Sequence, residues 1–305
     1  MPQDDDGAKY PMVAVDAALR MVLDAAAPLP TERVPLLDGG TAPALGRCLA
    51  DNITASAPHP PFRASISDGY CCHATEAPQK LRNDRATQLA GGASTSPLAR
   101  GACRYITTGA PLPTGADVVA KQEHCSIQGE VVSLPALRPG ADVRTVGSDW
   151  AAGDELCAPH TELAPADLAI LAAAGHDHVD VCRRPRVRVY SSGAELHQRG
   201  PFDATRHVRD ANRAGLIALL GDGSAYGGNA IVEDGGILPD DFGAWKDALN
   251  DALETCDVVV TTGGASVGRA DFAKRALEAA ARCKVRFGRL HMKPGKECGV
   301  LIPFS

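Results

Sequence analysis

Near the C-terminal end of the sequence, a run of β-branched residues leads into a glycine-rich turn. Residues 258–262 read Val-Val-Val-Thr-Thr and are followed by Gly263, Gly264 and Ser266, and then by a helical pattern. Glycines let the backbone approach a bound group closely, and free N–H groups at the start of a helix attract an anion. The turn therefore predicts an anion site, although an isolated Gly-Gly pair more often marks a tight strand-to-helix turn without a ligand.

Two charged segments could act on the same ligand. Lys293 and Lys296 flank a Pro-Gly turn, so both ammonium groups could point at one anion unless they are simply solvated. Residues 191–195 follow another strand pattern and would bring the carboxylate of Glu195 to the same edge of a sheet. That segment is equally typical of a helix N-cap with an acidic first turn.

Three shorter segments each carry one polar group whose role is ambiguous when the segment is taken alone. They are residues 60–70 with Asp68, residues 107–117 with Thr108, and residues 208–213 with Asp210. The first contains ordinary Asp-Gly turn chemistry, the second is a rigid loop, and the third places charges at the start of a helix.

The glycine-rich turn lies in the part of the sequence where strands and helices alternate. Strands are predicted over 187–190 and 256–262, and helices over 212–220, 245–254 and 271–281. This alternation is typical of an α/β fold with a parallel sheet and flanking helices. Ligands of such sheets bind beyond the carboxyl ends of the strands.

The first half of the sequence has a different pattern. Helices are predicted over 12–26, where the apolar residues fall on one face, and over 165–174, where Pro165 suits the first turn. Turns with short strands are predicted over 31–60, and a small mixed or all-β lobe over 70–145. Within that lobe, the polar run 79–100 is predicted to be a loop, and residues 183–185 are predicted to be a linker.

Composition excludes several classes of protein. Among 305 residues, 31 Lys and Arg against 37 Asp and Glu give a net charge of −6, which argues against an electrostatic hold on nucleic acid. No run approaches the ~18 apolar residues of a membrane span, and the acidic N-terminus is no signal peptide, so a cytoplasmic protein is expected.

The ten cysteines include no C-x-x-C pair and are expected to be reduced thiols. The vicinal Cys71 and Cys72 are the pair expected to be most open to oxidation.

Taken together and in this order, the segments indicate a protein family, although each is ambiguous alone. The chain resembles the molybdopterin molybdenumtransferase family, known as MoeA in bacteria and as the E domain of gephyrin. The resemblance runs from about residue 11 to about residue 298 and rests on P-F-x-A-S-x-x-D-G-Y at 61–70, T-G-A-P-x-P-x-G-A-D at 108–117, R-x-x-G-x-D-x-x-x-G from 144, R-D-x-N-R at 209–213, G-G-x-S-x-G at 263–268 and K-P-G-K at 293–296.

The resemblance implies a fold and an activity. Residues 1–182 would form N-terminal mixed α+β lobes, and residues 183–305 a three-layer parallel-sheet molybdopterin-binding domain. Family members insert molybdenum from molybdate into adenylylated molybdopterin with Mg²⁺ and release AMP. A homodimer is implied, with a site shared between subunits, so that Asp68 and Thr108 would act across the interface.

The resemblance also implies site residues. Those that match the pocket for pterin, nucleotide and molybdate are Thr262, Gly263, Gly264, Ser266, Asp271, Lys293 and Lys296. Those that match other active-site side chains are Asp68, Thr108, Asp149, Glu195 and Asp210. The metal ligands would be Asp271 and Asp234, with Glu233 as the alternative to Asp234 because Gly235 and Gly236 interrupt the alignment.

The chain departs from the family pattern at two places. Glu297 stands where many members have a proline, and a carboxylate there should repel molybdate unless it turns away. The chain stops at Ser305, before the family's L-P-G-N-P loop and C-terminal β domain, so the parallel-sheet domain is expected to be incomplete. A non-catalytic scaffold or dimerisation module, and a sugar- or nucleotide-phosphate hydrolase on the same core, are the alternatives to a transferase.

Overall fold

The computed structural model describes residues 11–75, 77–92, 96–201, 203–221, 229–263, 276, 283–295 and 298–303. The chain folds as two compact units. The β unit comprises Pro35–Leu45 and Leu49–Val179, and the α/β unit comprises Met1–Val34, Gly46–Cys48 and Asp180–Ser305. None of the helices in these described residues is long and apolar enough to cross a membrane.

The helices and strands follow one another along the chain. Up to residue 173 they are α1 (Val15–Ala25), β1 (Thr31–Pro35), β2 (Ile53–Thr54), β3 (Ala64–Ser65), β4 (Gly69–Cys72), β5 (Gln79–Gln88), β6 (Ala102–Ile106), β7 (Val118–Lys121), β8 (Ser126–Gln128), β9 (Val131–Leu134), β10 (Val143–Arg144), β11 (Glu155–Cys157) and α2 (Pro165–Ala173). Beyond it they are β12 (His178–Cys182), β13 (Arg186–Ser192), β14 (Leu196–His197), β15 (Val208–Arg209), α3 (Asn212–Leu220), β16 (Ile231–Leu238), α4 (Phe242–Thr255), β17 (Val258–Thr262), β18 (Cys283–Phe287) and β19 (Val300–Pro303).

The β unit is built on a six-stranded mixed sheet in the order β7-β4-β6-β5-β9-β8. Alternate residues of β4 enter different apolar clusters: Tyr70 and Cys72 pack with Val118, while Cys71 packs with Val119. Both faces of the sheet are therefore covered, as the period of two along a strand requires.

One prediction in this unit is wrong. Residues 79–100 were expected to form a loop, yet β5 spans ten of them and pairs with β6 and β9. Only Leu81 and Gln88 of this strand are buried, so its side chains carry no alternating apolar signal. The backbone ladder, rather than side-chain burial, holds β5 in the sheet.

The α/β unit has three layers. Its parallel sheet has the order β16-β13-β17. Val187 and Val189 of β13 pack under Leu216 of α3, while Tyr190 packs with Trp245 of α4. Because neighbouring residues of β13 point to opposite faces, the two helices cover the sheet from both sides, and the predicted α/β class with flanking helices is confirmed.

The helix predictions agree with the structure to within a few residues. The helix expected over 212–220 is α3 itself. The helix expected over 245–254 begins earlier, at Phe242, because Asp241 Oδ1 accepts the Ala244 N–H at 2.8 Å and caps it. The helix expected over 12–26 is α1, shorter at both ends. The helix expected over 271–281 lies outside the described residues, apart from Ala276.

Candidate functional site

The carboxyl edge of the parallel sheet gathers polar side chains from three elements. Ser191 of β13 lies opposite Thr262 of β17, and their hydroxyl oxygens are 3.1 Å apart. Ser191 also donates to Asp210 Oδ1 at 2.9 Å, just ahead of α3. Thr262 and Asp210 were predicted from the sequence; Ser191, fully buried between them, was not singled out.

Arg213 extends this hydrogen-bonded chain toward β16. Its Nε donates to Asp210 Oδ2 at 2.8 Å, and its Nη1 pairs with Asp234 Oδ1. The side chains of Arg213 and Asp210 are only 4% and 2% exposed. A buried carboxylate needs such a partner, because an unpaired buried charge is costly.

Asp210 is held in its ionised form. Burial alone would raise the pKa of this carboxyl, but the hydrogen bonds from Arg213 and Ser191 outweigh burial and lower its pKa below the ordinary value. The carboxylate therefore accepts hydrogen bonds and donates none.

The structure separates the two carboxylates that the sequence left as alternatives. Glu233 accepts hydrogen bonds from Arg186 and Arg188, and these lower its pKa. Asp234 instead joins the Arg213 chain and also accepts the Gly236 N–H at 2.9 Å. Only Asp234 is linked to the carboxyl edge.

Gly235 and Gly236 have a structural role in β16. The strand register shifts here, so that Val189 faces Asp234 but Tyr190 faces Gly236. A Cβ at Gly235 would overlap the ring of Tyr190, whose hydroxyl reaches the Ala248 carbonyl at 3.1 Å. The glycines form a β-bulge around this tyrosine.

Gly263 closes the turn after β17. Its φ is +80°, and a Cβ there would lie less than 3.0 Å from the carbonyl oxygen of Ser192. Two physical constraints therefore demand glycine, namely the left-handed backbone and the close approach of two strand ends.

The remaining candidates of the α/β unit are less constrained. The carboxylate of Glu195 is exposed and makes no hydrogen bond with any residue that the structure describes. Lys293 is exposed beside a cavity of about 350 Å³ that Met12 and Met292 also line. Gly264, Ser266, Asp271 and Lys296 lie outside the described residues, as does Glu297.

The candidates of the β unit form a second cluster. Asp68 Oδ1 accepts both the backbone N–H of Thr108, at 2.7 Å, and its hydroxyl, at 3.0 Å. The two segments are also tied by their backbones, since the Gly109 N–H reaches the Ser65 carbonyl at 2.8 Å. The structure thus brings together two predicted residues that are forty positions apart.

A cavity of about 580 Å³ opens beside this pair. Thr108 and Arg144 both line it, together with the exposed side chains of Phe62 and Ile66. Arg144 donates to both carboxylate oxygens of Asp149, at 2.5 and 2.6 Å. Asp149, also predicted, lies behind two residues that line the cavity, since it accepts from Arg144 and its Oδ2 lies 3.8 Å from His59 Nε2.

The vicinal thiols do not fit the expected susceptibility to oxidation. Cys71 and Cys72 are fully buried and belong to different apolar clusters. Burial raises the pKa of each to about 12, which suppresses the thiolate. The nine cysteines whose side chains the structure describes are all free thiols.

Two family profiles match the chain. The profile described as MoeA N-terminal region (domain I and II) matches residues 13–175, and the one described as probable molybdopterin binding domain matches residues 188–304. A molybdopterin molybdenumtransferase from Haemophilus influenzae is 31% identical over 93% of this chain and 69% of that protein. This chain belongs to the molybdopterin molybdenumtransferase family.

Two further relatives agree with this assignment. Gephyrin from Dictyostelium discoideum is 32% identical over 95% of this chain, which spans 43% of that protein. A crystal structure of the molybdopterin biosynthesis MoeA protein from Pyrococcus horikoshii OT3 superposes with a TM-score of 0.79 at 27% identity, over 95% of this chain and 72% of that one. The family and the fold class inferred from the motifs are thereby confirmed.

The molybdenumtransferase family implies a magnesium ion, and Asp234 is the described residue that fits one. Its Oδ1 is taken by Arg213 and Gly236, while Oδ2 receives no hydrogen bond from a described residue, and 47% of the side chain is exposed. One accessible carboxylate oxygen suits Mg²⁺, which keeps several of its waters when bound.

The motifs did not point to one carboxylate at the carboxyl edge of the parallel sheet, that of Asp240. Asp240 follows β16 by two residues and is exposed, at the edge where ligands of parallel sheets bind. The signal that could have found it is the Asp240-Asp241 pair ahead of a helix, which marks a strand-to-helix junction.

Proposed function

We propose that this chain inserts molybdenum from molybdate into adenylylated molybdopterin and releases AMP. The observation that carries the proposal is the Thr262–Ser191–Asp210 chain at the carboxyl edge of the sheet, in the unit that matches a molybdopterin-binding domain. Relatives named molybdopterin molybdenumtransferase support the same reaction.

The residues of the α/β unit suit a phosphorylated substrate. Gly263, in a left-handed conformation against the end of β13, turns the backbone at the carboxyl edge, where a ligand of a parallel sheet would bind. The ammonium group of Lys293, with that of Lys296, would balance the charge of molybdate, which is a substrate here. Mg²⁺ held by Asp234 and Asp271 would offset the charge of the phosphoanhydride.

The β unit would supply the remaining side chains. Asp68 and Thr108 lie beside a cavity of about 580 Å³, a size suited to a small-molecule ligand. In the proposed homodimer, this cluster and Asp149 from one subunit complete the sheet edge of the partner, to which Glu195 of the α/β unit adds a further carboxylate.

Helix α1 supports a dimer. Its apolar residues fall at helical spacing, yet Val15, Leu19 and Leu23 are 45%, 56% and 62% exposed, and only Ala18 is buried. An apolar stripe left in water is typical of a surface that another protein covers. Leu19→Lys is expected to shift the chain toward monomer in light scattering after gel filtration, whereas an unchanged mass would remove α1 from the interface.

The transfer itself can be measured as molybdenum in the product. The purified chain is incubated with adenylylated molybdopterin, Mg²⁺ and molybdate, and the pterin fraction is separated from protein and assayed for molybdenum. We expect molybdenum in that fraction with the chain and none without it. A folded chain that transfers no molybdenum would instead support the non-catalytic scaffold.

A further inference from the structure

The hydrogen-bond chain at the sheet edge has a fixed direction, because each hydroxyl group carries one proton. Asp210 is ionised and can only accept. Its Oδ2 receives Arg213 Nε at 2.8 Å, and its Oδ1 receives the hydroxyl of Ser191 at 2.9 Å. The single proton of Ser191 is therefore committed to Asp210.

The next link follows from that commitment. Ser191 Oγ and Thr262 Oγ1 lie 3.1 Å apart, and one of them must donate to the other. Because Ser191 has no second proton, Thr262 is the donor. Thr262 has then used its own single proton inward, toward Ser191.

Thr262 is left with lone pairs alone for a ligand. It is the last residue of β17, half-buried, directly before Gly263 and the carboxyl edge. An oxyanion placed there would meet lone pairs and no hydroxyl donor. A ligand that carries an N–H group would instead find an acceptor.

We propose that Thr262 accepts a hydrogen bond from the N–H edge of the pterin and contacts no oxygen of molybdate or phosphate. This inference rests on the proposed function and assigns one part of its substrate to one side chain. The amino group and ring N–H of a pterin are donors, whereas molybdate and the phosphoanhydride of the substrate carry none near neutral pH. Lys293 and Lys296 are left for the oxyanion, so pterin and molybdate occupy separate subsites.

The test uses the full chain and two probes, neopterin and sodium molybdate, each titrated alone by calorimetry with and without Mg²⁺. Thr262→Val removes the hydroxyl at nearly constant volume, Thr262→Ser keeps it, and Thr261→Val is the matched control on the same strand. Thr262→Val should weaken neopterin at least about tenfold, the size of one lost hydrogen bond, and leave molybdate within about twofold. Thr262→Ser and Thr261→Val should leave both probes within about twofold.

A second variant tests the direction of the chain. Ser191→Ala removes the acceptor for the Thr262 proton, which can then turn outward. Neopterin affinity should fall while molybdate affinity stays within about twofold, a selective change that general damage to the fold would not produce.

The outcomes separate this inference from the proposed function. If the unaltered chain binds no neopterin, this inference is overturned, whereas the proposed function is decided by the molybdenum-transfer assay. If it binds neopterin but Thr262→Val leaves that binding unchanged, or weakens molybdate equally, the inference alone is wrong. A fall in the affinity of Ser191→Ala for molybdate as large as its fall for neopterin would also overturn it.

Discussion

The carbonyl oxygen of Ser192 occupies the space that a side chain would need at Gly263. This contact joins the ends of β13 and β17 at the site. Gly263→Ala should therefore destabilise the chain by about 1–3 kcal/mol beyond the cost of a positive φ. Gly200→Ala is the matched control, since Gly200 has the same φ of +80° but no atom near its Cβ position. Urea unfolding gives the free energy of unfolding of both variants. An equal decrease in the two would show that the contact between Gly263 and Ser192 does not add to the cost.

Arg213 is expected to stabilise the α/β unit through its buried pair. Arg213→Met leaves Asp210 unpaired and should cost about 3–5 kcal/mol of the free energy of unfolding. Arg206→Met is the control, because Arg206 pairs with Asp203 at the same three-residue spacing but is 73% exposed. That change should cost less than about 1 kcal/mol, and a similar loss in both variants would contradict the role of burial.

The pairing of Asp210 should also appear in the pH dependence of stability. Its pKa is lower in the folded chain than the ordinary 3.8, so its contribution is complete above that value and is lost as pH falls through the folded-state pKa. The free energy of unfolding of the unaltered chain should therefore exceed that of Asp210→Asn most near neutral pH, and the difference should shrink in acid. A difference that is constant with pH would mean that the carboxylate is not preferentially ionised in the fold.

The buried thiols should resist alkylation. Cys71, Cys72 and Cys103 have no exposed surface, and burial raises the pKa of each to about 12. Iodoacetamide at mildly alkaline pH should label the exposed Cys298 and spare these three until urea is added, as read by peptide mass spectrometry. Labelling of Cys71 or Cys72 in the folded chain would show that the β unit opens.

The sequence predicted those elements that carry a recognisable run of apolar or β-branched residues, even where few of these side chains are fully buried. α3 and the apolar strands β13 and β17 were visible for this reason. β5 was not, because its polar side chains face water and its pairing is a property of the backbone. β16 was hidden by Gly235 and Gly236, whose bulge serves Tyr190 rather than a turn.

The sequence predicted which residues belong to the site, but not which of them form hydrogen bonds with one another. Asp210 and Thr262 were identified from motifs, yet Ser191, which links them, lies 19 and 71 positions away. Strand register brings Ser191 to Thr262, and the segment ahead of α3 brings Asp210 to Ser191. Arg213 belongs to one of the motifs, but its bridge between Asp210 and Asp234 depends on how α3 packs beside β16. Such contacts between distant segments leave no local pattern in a single sequence.

Molybdenum insertion by this chain is tested most directly by AMP release from adenylylated molybdopterin. The purified chain is incubated with this substrate and Mg²⁺, in the presence and absence of molybdate. We predict release that depends on molybdate, that falls in Asp68→Asn, and that persists in Asp117→Asn, whose carboxylate accepts the Ala74 N–H in the same unit and lines neither cavity described above. No AMP from a folded chain, or release that ignores molybdate, would contradict the assignment of molybdenum insertion to these residues.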